Sequence, residues 1–166
     1  LFFGRIHHDK GAAEAIAAAR RAGRRLVMAG IIQDRDYYNA HVAPALDNRF
    51  VIHLGAVGGS DRAKTLGSAR ALLHLINFDE PFGLSVVEAL ACGTPVIASN
   101  RGSMPELIDH GVTGFLVDSV DAAGQRGRRH ADRGPHRRAG RPPLWRDQPR
   151  RRVRQWHRVR DRSRER

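Results

Sequence analysis

A chain of 166 residues with 29 Lys+Arg against 17 Asp+Glu has a net charge of +12 and room for one domain of ordinary size. No run approaches the roughly 18 apolar residues of a membrane-spanning helix, which predicts a soluble chain. A single cysteine, Cys92, excludes an intrachain disulfide framework and a multi-cysteine zinc site.

The chain opens in a strand-like run at residues 1–4, with no initiator Met, and so reads as a piece of something longer. The Ala-rich stretch 12–22 predicts a helix, with Gly23 as its C-cap. A second buried strand is expected at 26–30, a helix from about 34 to 46, and a third strand at 50–55. A short helix at 61–69 and a fourth strand at 71–76 follow. Residues 84–92 read as a helix apolar on nearly every side, hence largely buried. Strands at 95–98 and 114–117 complete the series. Short continuous apolar strands alternating with helices signal βαβ units and a parallel sheet covered on both faces. Right-handed crossovers make this an α/β, Rossmann-like doubly wound arrangement.

The charge lies beyond these elements. Residues 1–123 hold 12 Lys+Arg and 13 Asp+Glu, a net −1. Residues 124–166 hold 17 Arg, no Lys and only four acids, a net +13. That segment has three members of the Leu/Ile/Val/Met/Phe set, Leu144, Val153 and Val159, too few to offset the entropy of ordering, so a disordered tail is expected. One reading makes it a basic arm for nucleic acid or a membrane surface. The other is out-of-frame translation of GC-rich coding sequence past residue 123, which Arg without Lys favours.

Ligands of such sheets bind outside the carboxyl ends of the strands, so the loops there carry the candidates. Arg5 and Lys10 lie between the first strand and the first helix, where helix N-termini favour anions. The spacing is neither Walker A nor G-x-G-x-x-G. His7 and His8 have no carboxylate or cysteine at ligand spacing, which argues against a metal. After the fourth strand, Glu80 stands in a loop, and Pro81, Phe82 and Gly83 suit the first turn of the next helix. Glu88 is a carboxylate in that apolar helix and needs a partner or a function. Cys92 reads as a small core residue rather than a nucleophile. Ser103 and Glu106 have capping-box spacing, and the adjoining Gly102 would let backbone approach a ligand.

These motifs in this order resemble the C-terminal, nucleotide-sugar-binding domain of retaining glycosyltransferases of family 4, which have the GT-B architecture. The residues that carry the resemblance are Gly4-Arg5 with Lys10-Gly11, Glu80 and Glu88 with Phe82-Gly83-Leu84, and Ala89 through Ala98. Gly102 to Glu106 and Gly111 to Val117 complete it. It runs from Leu1 to about Asp121, so residues 1–121 are expected to form the nucleotide-sugar domain and 122–166 the tail. Ser103 stands where the family has a second glycine, and His7-His8 depart from its commoner apolar or proline residues.

The resemblance implies roles. Arg5 and Lys10 would hold the donor diphosphate and stabilise it as leaving group, and Glu80 would sit beside the donor sugar. The backbone at Phe82, Gly83 and Leu84 would touch sugar and phosphate, and Glu88 would hold the ribose. Arg5, Lys10 and Glu80 are thus the catalytic candidates. The donor would be UDP- or GDP-linked, with no cofactor and no metal. The N-terminal domain of the same enzyme is an implied partner, without which the chain would be inactive. A cytoplasmic location follows, with peripheral membrane contact left open, and neither nucleic acid nor an obligate partner is expected. A non-catalytic nucleotide-binding domain, or a basic nucleic-acid-binding protein if the tail is genuine, are the alternatives.

Overall fold

The computed structural model describes residues 1–120 and 122–124; of the tail expected at 122–166, residues 122–124 are helical, with Ala123 in the core, and the rest, from 125 onward, lies outside the described residues. The elements follow the expected order. They are β1 (Phe2–Phe3), α1 (Ala12–Ala22), β2 (Leu26–Ala29), α2 (Arg35–Tyr37), β3 (Val51–His53) and α3 (Gly59–Ser68), then β4 (Leu72–His74), α4 (Leu84–Ala91), β5 (Val96–Ser99), α5 (Met104–Leu107) and β6 (Gly114–Val117).

All strand pairs are parallel and form two three-stranded sheets, β1-β2-β3 and β4-β5-β6. The two sheets meet at β1 and β4. The Leu1 nitrogen donates to the Ala71 carbonyl at 2.9 Å, and the Leu73 N–H donates to the Leu1 carbonyl at 2.8 Å. The resulting order, 3-2-1-4-5-6, is that of the doubly wound fold. Its order reverses between β1 and β4, which is where a crevice for a ligand opens.

Adjacent strand residues alternate between faces, and each face has its own core. Phe2 and Met28 pack with Ala15, Ile16 and Val42, on the side of α1 and α2. Phe3 and Ala29 pack with Leu66, Val86, Ala89 and Met104, on the side of α3, α4 and α5. A third cluster joins Ala18 of α1 to Leu75, Ile97, Val117 and Ala123. Two-sided burial explains why these strands read as continuous apolar runs.

Two expectations need correction. The segment 34–46 is not one regular helix. A single α-turn, capped by Asp34 Oδ1 accepting from the Tyr37 N–H at 2.9 Å, widens into a π-turn at Tyr38–Val42 and closes as a 3₁₀ turn at Ala43–Ala45. Pro44 has no N–H to return to the preceding turn and its ring crowds the carbonyl there, so the regular ladder cannot continue. The helix α4 is not largely buried either. Only Val86 and Ala89 are buried, while Leu84 is 59% exposed. A single stripe of α4 meets the sheet, and Leu84 at its start faces outward.

Candidate active site

The loops after β1 and β4, chosen separately in the sequence, are joined in space. Gly11 has φ +72°, and a Cβ there would lie 1.8 Å from the Leu75 carbonyl oxygen, so only glycine permits this approach. The Asn77 N–H donates to the Asp9 carbonyl at 2.9 Å, and the Asn77 amide donates to Glu14 Oε1 at 2.9 Å. The two halves of the fold are thereby fixed to each other at the point where the strand order reverses.

Across that junction Lys10 Nζ donates to Glu80 Oε2 at 2.7 Å, with both side chains 16% exposed. The Lys10 ammonium also lies 4.2 Å from the centre of the Phe78 ring. These contacts hold the lysine in the lining of an open cleft of about 390 Å³. Arg5, Lys10, Glu80 and Leu84 all line it. Arg5 is exposed and donates to Gln33 Oε1. Four of the seven predicted site residues therefore converge on one cleft.

The other three do not line it. Phe82 is 57% exposed, and Gly83 is buried as the left-handed N-cap of α4, with Met104 against it. Glu88 lies one turn further along α4 and is bound by Arg62 of α3. Arg62 Nε is 2.9 Å from both carboxylate oxygens, and its Nη2 also donates to Oε2. The carboxylate thus has the partner its position demanded. Arg62 itself lines the cleft, with its guanidinium 4.7 Å from the Phe3 ring centre.

The helix N-terminus facing the cleft belongs to α4, through Leu84 and Ser85, rather than to α1. At the start of α1 the Ala13 N–H already donates to the Tyr37 hydroxyl at 2.9 Å. The Gly102 loop serves the site indirectly. With φ +52°, a Cβ on Gly102 would lie 2.5 Å from the Glu80 backbone nitrogen and oxygen, and the Ser103 N–H donates to the Glu80 carbonyl at 2.9 Å. The close approach is to protein backbone, and it sets the position of Glu80. The expected capping box is not formed. Ser103 already has helical backbone angles, so its hydroxyl makes no cap and is buried without a partner. Cys92 is half-buried, and burial, with Glu88 adding, pushes its thiol pKa up, as suits an inert core residue.

Two site residues escaped the sequence reading. Arg62 lies in the short helix expected at 61–69, and its signal was its place in the first turn after a strand–loop junction. His74 ends β4, lines the cleft and is 7% exposed, with Nε2 unpartnered. Burial lowers its pKa to about 4, with nearby Glu80 opposing and Lys10 adding to the effect. Its signal was a polar residue inside the run Leu72-Leu73-His74-Leu75-Ile76.

No helix among the described residues is long and apolar enough to cross a membrane. The chain is 36% identical over 121 residues to an uncharacterized glycosyltransferase of Methanocaldococcus jannaschii, a match covering 70% of this chain and 31% of that protein. It thus spans about a third of the length of that curated relative. Among solved structures it is similar to AviGT4, a glycosyltransferase involved in avilamycin A biosynthesis, at 33% identity and TM-score 0.67, covering 79% of this chain and 40% of that one. The fold also matches Anabaena Alr3699/HepE, solved in complex with UDP and glucose, at 24% identity and TM-score 0.68, covering 80% and 39%. The family model for glycosyl transferases group 1 matches residues 1–126, and with the GT-B-like fold this shows that the chain belongs to the group 1 glycosyltransferases.

Proposed function

We propose that this chain is the donor-binding, C-terminal half of a retaining family 4 glycosyltransferase that moves a hexosyl unit from a UDP- or GDP-sugar to an acceptor. The observation that carries this reading is the convergence of Arg5, Lys10, Glu80 and the N-terminus of α4 on one cleft where the strand order reverses. The UDP and glucose bound by Alr3699/HepE agree with it.

In the proposed reaction the bond between the anomeric carbon and the phosphate oxygen breaks while the acceptor oxygen bonds that carbon from the same face and gives up its proton to the departing phosphate oxygen. Negative charge then grows on the departing diphosphate. Lys10, held in place by Glu80, and Arg5 meet that charge as fixed cations, and the free N–H groups opening α4 add to them. Because the cations are positioned before the donor arrives, little reorganisation is needed, and the step calls for no metal. Glu80 positions the sugar and orients Lys10; it is not a nucleophile. Glu88, whose partner Arg62 lines the cleft, would meet the ribose there once the donor is bound.

In this scheme residues 1–121 are the donor domain and the Arg-rich 122–166 take no part. The exposed Ile31 and Leu84, which line the cleft, offer apolar contact to the N-terminal domain, which supplies the acceptor site. A cytoplasmic enzyme, with peripheral membrane contact where the acceptor requires it, belongs to the same proposal. A second reading, a non-catalytic nucleotide-binding domain, draws on the internal pairing of Glu80 and Glu88.

Calorimetry with UDP, GDP and their sugars tests the proposal. The chain should bind one of these series without turnover, and Lys10→Ala should weaken binding by roughly 10–100-fold, the loss of one charge-assisted hydrogen bond. Equal affinity in Lys10→Ala, or sugar transfer by the isolated chain, would count against it.

A further inference from the structure

The segment between Arg5 and Lys10 holds a constellation that the donor site does not use. One ring nitrogen each of His7 and His8 and a carboxylate oxygen of Asp34 lie within 4.8 Å of one another. We propose that His7, His8 and Asp34 bind a divalent transition-metal ion of the zinc type.

Three features support a built site rather than a chance cluster. First, His8 Nδ1 and Asp34 Oδ2 are 3.4 Å apart. Ligands around a tetrahedral zinc, with bonds of about 2.0–2.1 Å, stand roughly 3.3 Å from each other, so this pair already has the required spacing. Second, Asp34 is oriented independently of any ion. Its Oδ1 caps α2 through the Tyr37 N–H, which leaves Oδ2 turned to His8. Third, His7 Nδ1 pairs with Asp9 Oδ1 at 2.5 Å. A carboxylate holding one ring nitrogen fixes the tautomer and presents the other nitrogen to a metal, the usual support of a metal-binding histidine. Two imidazoles and one carboxylate suit zinc, nickel or cobalt rather than magnesium or calcium, and water completes the coordination.

The sequence hid this site because its carboxylate ligand is 26 residues away from His8, at the start of α2. The two segments are already in contact: the Gln33 and Asp34 N–H groups both donate to the Ile6 carbonyl at 3.1 Å, and Arg5 donates to Gln33. An ion there would tie the loop after β1 to the loop after β2. Its role is to brace that loop, and it does not depend on the donor proposal.

The full chain should be titrated with Zn2+ by calorimetry and with Co2+ by visible absorption, where low-symmetry coordination gives intense bands. One equivalent is expected to bind tightly and raise Tm. Asp34→Asn keeps an equally good helix cap, so its fold is preserved while a charged ligand is lost. This variant and Asp9→Asn should each bind roughly 10–100-fold more weakly. The double variant His7→Asn/His8→Asn should abolish the cobalt bands. His130, His136 and His157 offer competing nitrogens. Wild-type affinity in Asp34→Asn and in the double variant would place the metal elsewhere and overturn the proposal, as would the absence of zinc binding by the unmodified chain.

Discussion

His74 is the residue whose environment differs most from what its sequence position suggested. It sits at the end of a buried strand with Lys10 and Glu80 close by, and burial keeps its imidazole neutral down to a pH of about 4. Between that pH and the ordinary histidine value near 6.5, the unfolded chain takes up a proton that the folded chain refuses. Stability therefore falls as pH drops through this window and is fully regained above it. A depression of this size corresponds to about 3 kcal/mol across the window. Urea unfolding at pH 4.5, 5.5 and 7 should show this slope in the parent chain, and His74→Phe should flatten it. An unchanged slope would mean that the imidazole is not shielded as described. The same scale shows the limit of reading residues singly. Arg5, Lys10 and Glu80 were legible because the strand–loop–helix pattern says where a ligand edge lies. Arg62 and His74 were harder to read, because their local signals, a place early in a helix and a polar residue in an apolar run, do not say what the side chain meets until the fold brings β1, α3 and β4 together.

Among the elements, α3 and α4 are coupled by the Arg62–Glu88 pair, whose side chains are 36% and 30% exposed. A half-exposed pair is screened by water and contributes little, so Glu88→Ala should cost at most about 1 kcal/mol of stability. If Glu88 also holds a ribose, the same substitution should lower nucleotide affinity about tenfold or more. Chemical denaturation and calorimetry on one preparation separate these effects, and unchanged affinity would favour the structural reading. The strands and α1 were legible because composition and the flanking glycines agreed; Gly23, at φ +63°, ends α1 with its N–H bonded to the Ala19 and Arg20 carbonyls. The segment after β2 was not, since Pro44 breaks the ladder in a way that apolar spacing does not record. The burial of α4 was overestimated for a related reason: an apolar helix that meets the sheet along one stripe has the same sequence as one surrounded on every side.

At the scale of the molecule, the fold rests on two triplets of strands meeting at β1 and β4. Gly11 is the tightest point of that junction, wedged against Leu75. Gly11→Ala should destabilise by about 3 kcal/mol or more, because backbone on both sides must move. The loss should appear in both halves at once, as reduced hydrogen-exchange protection in β2 and in β5 alike. Protection lost only in β1–β3 would show that the halves are stable independently. The net charge, which first suggested a nucleic-acid partner, has no counterpart here: the cleft's cations number three, Arg5, Lys10 and Arg62, and two of them are paired with Glu80 and Glu88.

The junction of β1 with β4 also governs how the chain reaches this state. The bonded partners Leu1 and Ala71 are 70 residues apart, so the central pairing carries the loop-closure entropy of nearly half the chain. Until residues 71–74 are available, β1 has one open edge and Phe3 has no core to enter. Such non-local pairing slows folding, because the closure entropy is lost before the contacts form. During synthesis, the first triplet would wait as an unfinished edge for the second to emerge.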